Sequence, residues 1–240
     1  MGNGIYIALS GAVAQSEAMD VVANNIANVN TTGFHAERLA FGEALAQAKG
    51  RADSHFTNVT KAIQSQQPGE RVQTDNPLDL ALDGDGYFAV DTKKGTRYTR
   101  AGNFSLATDG TLSDVAGNPV RAAGGRHLVI PAGSKTVQVA SDGTLSADGA
   151  QLGVLELTRF DPKNLTLEGN TLYAPIPGAK PLGGTLPQVM ANSLERSNVN
   201  SVRGVVDLIK IQRTYDALLT SIDSYREIDQ RAAKDIGGPK

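Results

Sequence analysis

Apolar residues at the two ends of the chain repeat at alternating steps of three and four. Near the N-terminus, the seven such positions are Ile5, Ala8, Ala12, Gln15, Met19, Val22 and Ile26, and all except Gln15 are apolar. Residues 201–236 repeat the pattern at Leu208, Ile211, Tyr215, Leu218, Ile222 and Tyr225. A period of about 3.5 residues is typical of helices that pack on other helices. The pattern therefore predicts an amphipathic helix at each end of the chain.

Both helices carry signals at their boundaries. The first ends in "ANNIANVNTTGF" (23–34), in which Asn24, Asn25 and Asn28 can share one side of the last turns. The threonines and Gly33 then allow a turn, because glycine adopts positive φ readily. We expect Phe34 to anchor the exit in an apolar pocket. Before the second helix, several side chains can accept from the amides of the first turn: Asn198, Asn200 and Ser201.

The middle of the chain changes to a period of two. Leu78, Leu80 and Leu82 alternate with Asp79, Ala81 and Asp83, which is typical of strands. The stretch "ATDGTLS" (107–113) returns as "ASDGTLS" (140–146), and each copy has the form of a hairpin with an Asp-Gly turn. The pattern predicts an antiparallel β domain.

These patterns together predict an α+β protein. A discontinuous helical, coiled-coil domain would comprise residues 1–34 and 193–240. Residues 35–75 would form an extended linker, and residues 76–192 a central antiparallel all-β domain.

Composition excludes several kinds of protein. The net charge of −2 argues against nucleic acid as a partner. No apolar run has the roughly 20 residues of a membrane span, so no membrane insertion is expected. The first basic residue is Arg38, so a cleaved secretory signal is not expected. Without cysteine, the chain has neither disulfides nor thiolate metal sites.

The candidate chemical motifs are weak. "GDGYFA" (84–89) has the spacing of a dinucleotide fingerprint but lies between strand-like runs, whereas that fingerprint precedes a helix. His35, His55 and His127 are dispersed and lack the spacing of a zinc pair. We therefore predict no catalytic residue, no cofactor and no metal, and do not expect an enzyme.

Three separate stretches resemble the bacterial flagellar rod and hook axial proteins. They are "ANNIANVNTTGF" (23–34), "NPLDLALDGDGYFAV" with "YTRAGNFSLATDGTL" (76–90 and 98–112), and "LERSNVNSVRGVVDLIKIQRTYDA" (194–217). They occur in the family's order and span nearly the whole chain. The compact β region is most similar to the proximal-rod members. The residues that match the family motif are Ala23, Asn24, Asn25, Ala27, Asn28, Thr31, Gly33, Phe34, Ser197, Asn198, Val199 and Asn200.

The resemblance implies a structural role in the rod of the flagellar basal body, the drive shaft that carries motor torque across the periplasm to the hook. The implied partners are other copies of the chain, other rod proteins, the flagellar type III export apparatus and a surrounding periplasmic ring. Export would proceed without a cleaved signal peptide. The residues expected at contacts between subunits are Ile5, Ala12, Met19, Val22, Ile26, Leu208, Ile211, Tyr215, Leu218 and Ile222.

Two alternatives stay open, one within the family that the sequence resembles and one outside it. The first is a distal-rod protein or another flagellar axial protein. The second, of a different class, is a periplasmic β module that binds a ligand, which would need a formed pocket.

Overall fold

The computed structural model describes residues 3–46, 54–65, 67–169 and 171–237. One helix begins this range and another ends it. The elements in chain order are α1 Asn3–Ala27, β1 Glu37–Ala46, β2 Ser54–Gln64, β3 Arg71–Gln73, β4 Leu80–Asp83, β5 Tyr87–Thr92, β6 Gly95–Thr99, β7 Ser105–Leu106, β8 Leu112–Ser113, β9 Val137–Val139, β10 Thr144–Ala147, β11 Ala150–Val154, β12 Leu157–Thr158, a short 3-10 helix Pro162–Asn164, β13 Leu165–Glu168, β14 Leu172–Pro175, β15 Gln188–Ala191, β16 Ser193–Glu195 and α2 Ser201–Gly237.

The chain forms two compact units. The first comprises Met1–Ala27, Glu37–Ile63 and Asn200–Lys240, and therefore holds α1, α2 and the paired strands β1 and β2. The second comprises Asn28–Ala36 and Gln64–Val199 and holds the remaining strands. Strands β1 and β2 lie in the segment predicted as an extended linker. The predicted domain boundaries stay a prediction.

The predicted fold class is wrong. It assigned the two ends to a coiled-coil domain, whereas the structure is mostly strands with one helix at each end, and its described residues contain no coiled coil. The physical reason is that a 3.5-residue repeat reports a buried helix face, which a simple helix pair also produces. The central region is mainly β, which agrees in part with the prediction.

The β unit is built from small antiparallel sheets. The largest has the strand order β12-β5-β6-β14-β13, and a three-stranded sheet has the order β11-β10-β9. The core of the β unit contains the fully buried side chains Leu80, Phe88, Leu112 and Leu145. The rings of Phe88 and Phe104 meet edge to face, with centroids 5.2 Å apart. A smaller cluster contains Tyr87, Phe160, Leu165 and Tyr173.

The repeated "DGTLS" stretch forms two equivalent hairpins, as predicted. In the first, Leu106 pairs with Leu112, and Asp109 Oδ1 accepts from the Thr111 amide at 2.9 Å. In the second, Val139 pairs with Leu145, and Asp142 Oδ1 accepts from the Thr144 amide at 2.9 Å. Such an Asx contact fixes the turn locally.

Replacement of Gly110 tests how strongly the stability of the first hairpin depends on the conformation of its turn. The φ of Gly110 is 82°, and a Cβ there would lie 2.5 Å from the Ile130 carbonyl oxygen. Gly117 is a matched control because its φ is 81° but nothing lies within 4 Å of its Cβ position. We expect Gly117→Ala to lower the free energy of unfolding by about 1 kcal/mol through backbone strain, and Gly110→Ala to lower it by about twice as much. Urea unfolding of both variants measures this; equal losses would contradict it.

Candidate assembly surface

Helices α1 and α2 pack against each other in antiparallel directions. Three glycines mark the contact: Gly4 faces Tyr225, Gly11 faces Leu218 and Gly204 faces Ile26. A Cβ would lie 2.9 Å from Tyr225 at Gly4, 3.3 Å from Leu218 at Gly11 and 2.9 Å from Ile26 at Gly204. The missing side chains therefore let the two helices approach closely, and the three contacts fix their register.

The residues expected at subunit contacts lie mainly on the inner faces of this pair. Ala12 and Ile222 are buried within one chain. The other eight are half-buried: Ile5, Met19, Val22, Ile26, Leu208, Ile211, Tyr215 and Leu218. Within a single copy, the structure thus brings predicted contact residues of α1 together with predicted contact residues of α2. Contact with a neighbouring copy through these residues stays a prediction.

Large apolar side chains remain exposed on the outer faces of both helices. On α1, Tyr6, Leu9 and Val13 are 50–60% exposed. On α2, the exposed large apolar residues are Val202, Val205, Val206, Ile209, Leu219, Tyr225 and Ile228. Contiguous exposed apolar surface commonly marks a site of protein association. The interface prediction omitted these residues, although the scarcity of charge in α1 is a signal that both of its sides avoid water.

Asparagines tie the end of α1 to the start of β1. Asn25 Nδ2 donates to the Glu37 carbonyl at 2.8 Å, and the Glu37 amide donates to Asn25 Oδ1 at 2.9 Å. Burial raises the pKa of the Glu37 carboxyl, while a hydrogen bond from Asn24 partly opposes that shift. The amide groups of this motif therefore satisfy backbone and side-chain groups within the same unit.

In the β unit, residues 28–36 make the bend that the sequence predicted. Thr31 Oγ1 donates to Asn28 Oδ1 at 3.0 Å, Gly33 has a φ of 68°, and Phe34 is fully buried. A Cβ at Gly33 would overlap the backbone of Arg100 and Ala101. Complete burial of a phenylalanine contributes about 1.5–3 kcal/mol, so Phe34 anchors the bend.

The two parts of the family motif meet in the β unit. Asn198 Oδ1 accepts from the Ala36 amide at 2.7 Å, and its Nδ2 donates to the Gln67 carbonyl at 2.6 Å. Ser197 Oγ accepts from the Val199 amide at 3.3 Å. In the helical unit, Asn200 caps α2, because its Oδ1 accepts from the Arg203 amide at 2.9 Å. Ala23 and Ala27 are exposed on α1.

A buried charged cluster holds the bend, and we call His35, Arg100 and Glu195 the carboxylate cluster. Glu195 is 1% exposed and His35 and Arg100 are each 5% exposed. Glu195 Oε1 lies 2.6 Å from His35 Nε2, and Oε2 accepts from Arg100 Nε at 2.9 Å. The Gly69 amide also donates to Glu195 Oε1, at 3.0 Å. The sequence analysis did not connect these three residues, because they are far apart along the chain.

The remaining contacts of the cluster reach two loops. His35 Nδ1 lies 3.1 Å from the Ser65 carbonyl, so both ring nitrogens face oxygen acceptors. Arg100 Nη1 donates to the carbonyls of Gly84 and Gly86 at 2.9 and 2.8 Å. Burial alone would raise the pKa of Glu195, but the hydrogen bond from His35 and the charge of Arg100 outweigh it and lower that pKa.

A cavity of about 390 Å³ borders the cluster within the β unit. Two ion pairs lie in its lining: Arg100 with Glu195, and Arg71 with Asp83 at 2.8 Å. The hydroxyl of nearby Tyr87 donates to Gln64 Oε1 at 3.2 Å, and burial raises the pKa of Tyr87 to about 12. Among the described residues, no group of three His, Asp or Glu side chains could hold a metal ion.

Three family models match the chain in order. "Flagella basal body rod protein" matches residues 5–35, "Flagellar hook protein FlgE/F/G D1 domain" matches 81–147, and "Flagellar basal body rod FlgEFG protein C-terminal" matches 190–235. The basal-body rod protein FlgF of Mesorhizobium japonicum is 32% identical over 239 residues, which cover 99% of both chains. The chain belongs to the flagellar basal-body rod protein family.

Within the rod family, the chain is most like FlgF. FlgF of Caulobacter vibrioides is 34% identical over 242 residues, covering 99% of each chain. FlgG of Bacillus subtilis is 32% identical over 255 residues, covering 94% of this chain and 96% of its own length. The resemblance seen in the sequence is confirmed. The matches do not support the alternative of a ligand-binding β module. In the part of the chain that the structure describes, no helix is long and apolar enough to cross a bilayer.

Glu195 should make the stability of the β unit depend on pH. Because its folded pKa is lowered, its contribution is complete above the unfolded value near 4.5 and is lost as pH falls through the folded value. Glu195→Gln leaves Arg100 without its buried counter-charge and should lower the free energy of unfolding by about 3 kcal/mol at pH 7. The difference in the free energy of unfolding between the variant and the wild type should become smaller at acidic pH. Denaturant unfolding at a series of pH values measures both effects.

The control for this experiment is Glu168→Gln. Glu168 also has a lowered pKa, because its side chain accepts hydrogen bonds from Arg97, but it is partly exposed. Its replacement should destabilise the protein far less, since solvent screens such a pair. Equal losses in the two variants would contradict a special role for the buried carboxylate.

Proposed function

We propose that this chain is a structural subunit of the bacterial flagellar basal-body rod. It polymerises helically with copies of itself and with other rod proteins into the drive shaft that transmits motor torque across the periplasm to the hook. Family membership over nearly the full length supports this proposal. The chain has no catalytic role in it.

The single observation that carries the assembly role is the exposed apolar surface of the paired helices. Val202 is 75% exposed and Tyr6 is 60% exposed, while the α1–α2 contact buries Ala12 and Ile222. A helix pair with apolar side chains on its outer faces lowers its free energy when further helices cover them. Contacts of this kind that repeat from copy to copy without closing produce a filament.

The finer parts of the proposal concern location and route. The rod spans the periplasm, and the subunits reach it through the flagellar type III export apparatus without a cleaved signal peptide. A surrounding periplasmic ring is a further partner. A position in the proximal rod fits the likeness to FlgF, while the 32% identity to a FlgG supports a distal position as the second candidate. Labelled copies imaged in purified basal bodies distinguish the two positions.

Substitutions in the α1–α2 contact test the assembly role. We expect Leu218→Asp and Ile222→Asp to abolish incorporation into basal bodies, because a charge cannot lie in the apolar contact without a large penalty. The β unit should remain folded, since its core lies in residues 78–191. Complementation of a strain that lacks the gene, followed by immunoblotting of purified basal bodies and limited proteolysis, measures both outcomes.

The matched control is Val115→Asp, which places the same charge at a residue of the β unit that is 77% exposed. It should restore motility. Normal motility of Leu218→Asp would refute the role of the contact, and absence of the wild-type chain from purified basal bodies would refute the proposed function.

A further inference from the structure

The outer face of α1 changes from apolar to acidic along its length. Tyr6, Leu9, Val13, Glu17 and Asp20 follow one another at steps of three and four, so they line one side of the helix. All five are exposed. Glu17 and Asp20 are the only charged residues of α1, and neither takes part in an ion pair among the described residues. This acidic pair therefore faces solvent and has no counter-charge among the residues that the structure describes.

A basic pair lies on the outer face of α2. Lys210 and Arg213 are exposed and three residues apart, so they share one side of the helix. Lys210 Nζ is 3.8 Å from Asp207 Oδ1, which is a weak contact of a side chain that is 72% exposed. Arg213 has no ion-pair partner in the described ranges of the chain. The basic pair is thus available to a second molecule.

The register of the helix pair places the two pairs of charges at the same height. Because Gly11 faces Leu218 and Ile26 faces Gly204, Glu17 lies level with Arg213 and Asp20 lies level with Lys210. Within one copy these side chains point away from the contact and do not meet. If two copies lie side by side in the same orientation, α1 of one copy is antiparallel to α2 of the neighbouring copy. The opposite charges then face each other when the axial shift between the two copies is small.

The same register also matches apolar surfaces of different size. Val206 lies level with Ala23, and Val202 lies level with Ala27. All four residues are exposed in one copy. A large side chain opposite a small one allows close packing, so the contact combines apolar burial with complementary charge.

We propose that Glu17 and Asp20 of one copy pair with Arg213 and Lys210 of a neighbouring copy and so select the lateral neighbour in the assembly. This inference rests on the proposed function and names the contact that it uses. Opposite charges at a contact favour the correct partner, whereas like charges at the same place exclude an incorrect one. The occupant of this outer face of α1 is a second copy of the chain.

Charge reversal tests the pairing. In a strain that lacks the gene, E17K with D20K, and separately K210E with R213E, should lower the amount of the chain in purified basal bodies by about tenfold or more, because like charges would then meet. The exchange of all four charges should restore incorporation to within about twofold of wild type. All these replacements keep good helix-forming residues.

A reversed pair elsewhere on α2 is the control. Asp223 and Arg226 form an exposed ion pair at 3.5 Å, and their joint reversal (D223K with R226E) should leave incorporation unchanged. Circular dichroism and proteolysis of each purified variant check that the chain still folds. Normal incorporation of both reversed double variants, or failure of the fourfold exchange to restore it in folded chains, would overturn the inference.

Cross-linking identifies the occupant directly. Because the chain has no cysteine, Glu17→Cys in one set of copies and Arg213→Cys in another introduce the only thiols. A short thiol-reactive cross-linker added to basal bodies that contain both should give a dimer of the chain. Pairing Glu17→Cys with Arg226→Cys should give none. A cross-link to a different rod protein instead of the dimer would overturn the inference, while presence of the wild-type chain in basal bodies would leave the proposed function standing.

Discussion

A buried carboxylate at Glu195 is the interaction on which the β unit depends most. Burial of an ion is unfavourable unless charged partners and hydrogen bonds replace its water. Here His35, Arg100 and the Gly69 amide supply them, and Arg100 also binds the carbonyls of Gly84 and Gly86. One side chain therefore holds the bend after α1, two loops and the last strand of the unit. The lowered pKa of Glu195 shows that these contacts outweigh the loss of solvation.

The helical unit follows a different principle, since shape rather than charge fixes its register. Tyr225, Leu218 and Ile26 each lie against a glycine of the opposite helix. This contact uses one side of each helix and leaves apolar residues exposed on the other side. A subunit built in this way is folded yet incomplete, because its outer faces gain by being covered. That combination suits a rod, in which every copy must offer the same surfaces to its neighbours.

Local signals in the sequence predicted the local structure well. The Asp-Gly turns and the positive φ of Gly33 depend on neighbouring residues only, so they could be identified directly, and the cap of α2 at Asn200 is one of three candidates that the sequence offered. The coiled-coil assignment was wrong because periodicity shows that a face is buried but not what covers it. The interface prediction selected the periodic face of each helix and omitted the exposed residues beside it, such as Tyr6 and Val202.

Although it assigned the segment of β1 and β2 to a linker, the sequence by itself determined that an amphipathic helix lies near each end, that the middle of the chain alternates as strands, and which family the chain resembles. Each of these depends on residues close together in the chain. Only the tertiary structure decided which buried side chains meet: His35 and Glu195 are 160 positions apart, and Arg100 lies 95 positions before Glu195. Likewise, only the packing of α1 on α2 placed Glu17 level with Arg213. Contacts between distant residues depend on the register of whole elements, which no local pattern specifies.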